Sequence, residues 1–189
     1  MSFEPEPKLR VLFVCMGNIC RSPLAEMLFR HYVQALGLEG RVRCDSAGTG
    51  NWHVGEPPCE GTLATARRLG LRWEGVRARQ IGPRDFDEFD YILAMDRENL
   101  AVLKRLLRAY RVRSRGKIDL LLAYAPHVGT DEVPDPYFDG RHEEVYVYID
   151  EGVRAFLRHL LAGRPDELGL TSEEAQSALR RLEALRTRP

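Results

Sequence analysis

The chain has 189 residues, 44% of them apolar and 30% charged, enough for a substantial core and inconsistent with a disordered polypeptide. Its 28 basic and 28 acidic residues cancel, which argues against a general binder of nucleic acid or membrane surfaces. The polar opening segment, with Pro5 and Pro7, lacks the basic-then-apolar order of a secretory signal, and no apolar run reaches the roughly 18 residues needed to cross a bilayer. Four cysteines do not make a disulfide scaffold, so the expected setting is the reducing cytosol. Cys15 and Cys20 have no second pair and the five histidines are spread along the chain, so no structural metal is expected, and the chemistry read at the Cys15 loop and Arg21 needs no organic cofactor. Of the 28 basic residues 25 are arginine, scattered rather than blocked, which reads as compositional bias.

In chain order, residues 9–14 form a short apolar run rich in β-branched and aromatic side chains and predict a buried strand. After a loop over residues 15–22, Pro23 opens a helix whose apolar positions Leu24, Met27, Leu28 and Val33 recur until Gly37. Residues 41–46 read as a second strand, 62–69 as a helix stopped by Gly70, and 76–81 as a further strand. A short helical stretch over 85–89, a buried strand over 91–95 and a helix over 97–110 follow. Residues 118–122 read as the last strand, 125–141 as a long loop with three prolines, and 143–162 as the closing helix. Strands alternating with helices predict an α/β fold with a parallel sheet covered on both faces, its functional loops at the carboxyl ends of the strands. Gly163 and Pro165 then break the chain. Thr171 and Glu174 form a capping box, and Ala175, Ala178, Leu179, Leu182 and Leu185 make one face of an amphipathic helix. The division expected is residues 1–162 as a domain and 163–189 as a helical extension packed on it, or used in a dimer or partner contact.

The chemistry concentrates at Cys15. A strand delivers this cysteine to a tight loop, Met16, Gly17, Asn18, Ile19 and Cys20 follow, and a helix begins directly behind Arg21 and Ser22. Backbone N–H groups of such a loop converge on one point, reinforced by the helix N-terminus, and make a cradle for a tetrahedral anion. Gly17 permits close approach or positive φ, and Asn18 tolerates the left-handed region. Arg21 adds a planar fork able to hold two phosphate oxygens. The same positive environment favours the thiolate of Cys15, the form that attacks phosphorus, and Ser22 can donate a hydrogen bond to that sulfur. Far downstream, Pro134 and Pro136 restrict the loop around Asp135, a pattern that by itself also fits plain turn chemistry.

The run from Cys15 through Pro23, Cys-x-Gly-Asn-x-Cys-Arg-Ser-Pro, resembles the signature of the low-molecular-weight protein tyrosine phosphatase family. The resemblance covers about residues 10–161 and implies a three-layer fold with a four-stranded parallel twisted sheet, helices on both faces and an extra C-terminal helix. It implies a cysteine nucleophile at Cys15, a phosphate clamp at Arg21 and a general acid and base at Asp135. It implies a tyrosine-phosphorylated protein as substrate, hydrolysed through a phosphocysteine intermediate by a monomer or weak dimer. Ser46 would support the loop through Asn18, and Trp52 and Tyr137 would wall the substrate ring. Phe138 stands where many members have a second tyrosine, Val76 where members often have a histidine supporting the asparagine, and Cys59 and Gly61 where an Asp and an Arg are common. Cys20 is either a redox partner that captures an oxidised Cys15 as a disulfide or a small buried side chain. The alternative activities are a thioredoxin-coupled arsenate reductase, whose relay needs further cysteines that do not occur beyond Cys59, and a phosphotyrosine-binding module without turnover.

Overall fold

The protein is described here from a computed structural model over residues 6–185; the sequence reading of the first five residues, and of the last four residues of the extension, falls outside that range. Strand β1 (Leu9–Cys15) lies at the centre of a four-stranded sheet with β2 (Val42–Gly48), β3 (Tyr91–Ala94) and β4 (Lys117–Leu120), in the order β2-β1-β3-β4. Every pairing is parallel. Successive side chains of a strand point to opposite faces, and β1 obeys this. Val11 and Phe13 join the larger apolar cluster, with Leu28 of α1 (Arg21–Ala35) and Phe156 of α5 (His142–Gly163). Leu12 and Val14 join the smaller one, with Phe86 of α3 (Pro83–Glu88) and Leu103 of α4 (Arg97–Tyr110). Strand β3 splits the same way, Leu93 to the first cluster and Ile92 to the second. Two covered faces explain why these strands are continuously apolar from Val11 to Cys15 and from Tyr91 to Ala94.

Helix α2 (Glu60–Leu69) precedes α3, and most boundaries fall within a few residues of the sequence reading. Residues 76–81 depart from it. They form no strand; one bridge joins Gln80 to Gly48. Their backbone groups are used by the site loops instead: Gly48 N–H donates to Arg79 O, Gly55 N–H to Ala78 O, and Ala78 N–H to Glu56 O. The strand expected over 118–122 stops at Leu120, where the chain curls into a 3-10 turn (Leu121–Tyr124). That turn packs on α5 at Gly152, where an added Cβ would lie 2.7 Å from the Leu121 side chain.

Helix α6 (Ser172–Ala184) opens on the predicted capping box: Glu174 N–H donates to Thr171 Oγ1, and Thr171 N–H to the Glu174 carboxylate. Its apolar face turns inward, with Ala178 and Leu182 in the larger cluster beside α5, and Leu179 and Leu185 at its edge. Arginines complete the joint. Arg154 of α5 donates to the carbonyls of Leu182 and Leu185, and Arg181 of α6 to that of Leu36 at the end of α1. These bonds reach carbonyls at helix C-termini, where internal partners run out.

Leu182 is fully buried, so Leu182→Ala is expected to cost about 2–5 kcal/mol in urea denaturation through the cavity it leaves. Gln176→Ala, on the exposed face, should stay within about 0.5 kcal/mol.

Candidate active site

The parallel register sets Cys15, the last residue of β1, beside Gly48, the last of β2. The loop between β1 and α1 then turns over Gly48, where an added Cβ would come 2.8 Å from Met16 O and 3.2 Å from the Gly17 carbonyl carbon. Glycine is the residue that admits this approach. Positive φ falls on Asn18 (57°) rather than on Gly17. Gly17 meets the other need read from the sequence, close approach: its Cβ position lies 3.1 Å from the His53 ring.

The loop's carbonyls are bound on its outer side. Cys15 O accepts from Thr49 N–H, Met16 O from Gly50 N–H, Ile19 O from Cys59 N–H and Cys20 O from the Thr62 hydroxyl. In a trans peptide the C=O and the following N–H point in opposite directions. Outward carbonyls therefore turn the N–H groups of Met16, Gly17, Cys20 and Arg21 towards the cleft, at the start of α1. Asn18 N–H lies 3.3 Å from Cys15 Sγ, and Ser22 Oγ lies 3.0 Å from the same sulfur.

A chain of hydrogen bonds runs behind the sulfur. Asn18 Nδ2 donates to Ser22 Oγ (2.8 Å) and Ser46 Oγ (2.9 Å), while its Oδ1 accepts from Arg79 N–H (2.9 Å). Both ends of the amide are thus assigned, and Ser22, accepting from Asn18, has its own proton to direct at Cys15. Ser46 donates onward to Glu26 at 2.6 Å, and Arg30 also bonds Glu26. Burial pushes the Glu26 carboxyl above its usual range, opposed by Ser46 and Arg30. Val76, in the position noted for a missing histidine, is a buried core residue, and the Arg79 backbone serves Asn18. Arg79 is itself braced by Asp45 and by a two-pronged contact with Asp85.

Arg21 is buried and reaches three partners: Asp96 at 2.6 Å, the Val133 carbonyl at 2.9 Å and Asp135 at 3.3 Å. Burial opposes its charge, but Cys15, Asp96 and Asp135 outweigh that and hold the guanidinium above the ordinary arginine range. Asp96 also caps α4 by accepting from Asn99 N–H. Asp135 accepts from Tyr137 N–H, so the 125–141 loop folds its carboxylate back towards Arg21.

The result is a cleft of about 380 Å³ lined by Cys15, Met16, Gly17, Ile19, Cys20, Arg21, Trp52, His53, Asp135, Tyr137 and Phe138. Trp52, Tyr137 and Phe138 are 68%, 54% and 76% exposed, an apolar rim of a kind that usually meets a ligand. Ser22, Asn18 and Ser46 lie behind the loop instead of in the cleft. His53, Asp96, Glu26 and Arg79 received no role from the sequence. Glu26 had a legible signal: it lies one helical turn beyond Ser22, on the buried face of α1. Arg79 and Asp96 lie in stretches that resemble family landmarks, but their contacts with Asn18 and Arg21 had no local signal, because those partners lie far away in the chain.

Cys20 is buried, as the second of its two readings has it; beyond either reading, its sulfur is bonded to Cys59, with Cα atoms 5.5 Å apart, and Cys15 is a free thiol. The sequence placed Cys59 only as a departure from a family pattern. Its N–H bond to Ile19 O seats the start of α2 against the loop and brings the two sulfurs together. Among the described residues, no group of three or more His, Cys, Asp or Glu gathers as a metal site, and no helix is long and apolar enough to cross a membrane.

Residues 10–165 match the family model for low molecular weight phosphotyrosine protein phosphatase. The low molecular weight protein-tyrosine-phosphatase YfkJ of Bacillus subtilis is 46% identical over 149 residues, spanning 79% of this chain and 94% of that protein. Its crystal structure superimposes with a TM-score of 0.77, at 43% identity over 84% of this chain and 97% of that one. The crystal structure of a Drosophila arginine phosphatase gives 0.75, at 36% identity over 80% and 97%.

The buried Glu26 makes a signed prediction. A carboxyl whose folded value is raised above 4.5 contributes stability that is complete below that pH and is lost as pH rises through the folded value. In urea titrations at a series of pH values, wild type is expected to lose stability relative to Glu26→Gln as pH rises above 4.5. A difference that does not change with pH would show that Arg30 and Ser46 fully offset the burial.

Proposed function

The chain belongs to the low molecular weight phosphotyrosine protein phosphatase family, and from that premise we propose that it hydrolyses aryl phosphate monoesters on tyrosine-phosphorylated proteins through a phosphocysteine intermediate. The observation that carries this is the placement of a free Cys15 sulfur at the floor of an inward-facing amide loop, with Arg21 and Asp135 on the same cleft. In this reading the amides and Arg21 bind the phosphoryl oxygens, and Cys15 Sγ attacks phosphorus in line. The bond from phosphorus to the phenolic oxygen breaks, and Asp135 gives that oxygen its proton. Water then attacks the phosphocysteine, Asp135 accepts the water's proton, and the Cys15 thiolate leaves, stabilised by the Ser22 hydroxyl and Asn18 N–H. The preorganised positive potential, not a bound metal, stabilises the transferring group.

The resting contacts of Arg21 give the acid its timing. Its fork is shared between Asp96 and Asp135; an arriving phosphate competes for the Nη2 edge and frees Asp135 to face the leaving oxygen. Asp96 keeps Nη1, so the guanidinium stays aimed. Substrate class follows from the rim. Met16, Ile19, Trp52, Tyr137 and Phe138 offer apolar and aromatic surface suited to a phenyl ring. Asp135, the carboxylate among the lining residues, is engaged by Arg21.

Cys15→Ser is expected to abolish turnover of para-nitrophenyl phosphate while retaining binding of a phosphonate analogue, and Asp135→Ala to lower kcat by roughly 10²–10⁴. Full metal-independent activity of the Cys15→Ser protein would overturn the mechanism. Trp52→Ala should raise KM for a phosphotyrosyl peptide much more than for inorganic phosphate as an inhibitor. Faster turnover of a phosphoarginyl than of a phosphotyrosyl peptide would contradict the substrate class and leave the nucleophile intact.

A further inference from the structure

We propose that Cys15, Cys20 and Cys59 form a thiol relay that reduces one equivalent of hydroperoxide and returns Cys15 to its working state, with the Cys20–Cys59 disulfide as the end product. The inference rests on reading Cys15 as a reactive thiolate. Three observations support it. Cys20 lines the same cleft as the free Cys15 and is bonded on its other side to Cys59 at the start of α2. Cys59 is bonded to Cys20 and is only partly buried, at the N-cap of α2, where solvent and a reductant have access. The fourth cysteine stands apart: burial and Glu26 push the Cys44 thiol up to about 12, and its sulfur faces the Glu26 carbonyl.

The steps balance without a cofactor. Cys15 thiolate attacks one oxygen of the hydroperoxide, the O–O bond breaks, and Cys15 becomes a sulfenic acid as the other oxygen leaves as alcohol or water. Cys20 attacks the Cys15 sulfur and expels the sulfenic oxygen as water, giving a Cys15–Cys20 disulfide. Cys59 thiolate then attacks Cys20 Sγ; the Cys20–Cys59 bond forms, the Cys15–Cys20 bond breaks, and Cys15 leaves as thiolate. Two thiols have been oxidised and one peroxide reduced, and an external dithiol resets the pair. A guard formed by Cys20 alone would leave the nucleophile trapped. Exchange to Cys59 moves the oxidation off the catalytic sulfur, at a loop position whose backbone is already held by Ile19 O to Cys59 N–H and Cys20 O to Thr62.

The test uses the full chain, reduced and freed of reductant, treated with one equivalent of hydrogen peroxide, then assayed with para-nitrophenyl phosphate and mapped by non-reducing peptide mass spectrometry. Wild type is expected to keep most of its activity and to show Cys20–Cys59 with Cys15 free. Cys59→Ser and Cys59→Ala should each stop at Cys15–Cys20, lose nearly all activity and regain it with dithiothreitol. Cys15→Ser should form Cys20–Cys59 much more slowly than wild type. Equal residual activity of wild type and both Cys59 variants, or unchanged disulfide formation without Cys15, would overturn the relay. Iodoacetamide labelling of untreated protein separates the two readings: an unreactive Cys15 would defeat the proposed function itself, whereas a reactive Cys15 with wild-type behaviour of the Cys59 variants would defeat only the relay.

Discussion

Asn18 is where the site is held. Its backbone sits in the left-handed region, which a non-glycine residue enters at a cost of about 1–2 kcal/mol, and the amide offsets that cost by bonding Ser22, Ser46 and the Arg79 backbone. Those three partners come from α1, from β2 and from the segment before α3. One side chain therefore fixes the loop against three parts of the fold and also positions the Ser22 hydroxyl beside Cys15. The bonds of Gly48 with Arg79 and Ile81 belong to the same construction. The anion cradle is shaped by this outer binding as much as by the helix behind it.

Charge is organised around Arg21 in a comparable way. A buried guanidinium with fewer partners would carry a heavy desolvation penalty; here the Val133 carbonyl and two carboxylates surround it. Asp96 is fixed by its second duty as the cap of α4, so its contact with Arg21 is backed by a helix. Asp135 is held by a loop. The firmer carboxylate orients the clamp, and the one on the more adjustable segment is suited to act on a leaving group.

The strands over 9–14 and 91–95 were legible because burial on both faces leaves a run of apolar residues broken only by Arg10, and the helix over 172–184 because its capping box and apolar face are local. Cys15, Arg21 and Ser22 were legible for the same reason: the loop is contiguous in sequence. Residues 76–81 misled because β-branched ends (Val76, Ile81) and alternation of apolar with polar residues between them have the pattern of a strand whether the backbone pairs with a ladder or, as here, with Gly48, Gly55 and the Asn18 side chain. Asp96, Arg79 and Cys59 act across separations of 75, 61 and 39 residues, and no local pattern announces such contacts. Phosphate-binding loops can be read from a motif; what braces them belongs to tertiary structure.

The arginine excess, read from composition as bias, has a structural use at the far end of the molecule. Arg41 donates to the carbonyl of Gly169, Arg154 to that of Leu182, and Arg181 to that of Leu36, so guanidinium groups fasten the extension to helix ends and to the entry of β2. Arg41 lies at the amino-terminal edge of the sheet, whereas Cys15 and Gly48 end their strands at the opposite edge. The extension is thus insulated from the chemistry by the full length of the strands. Additions, fusions or labels attached after α6 have a mechanically quiet anchorage, and the cleft keeps its own aperture for proteins that approach from the other pole.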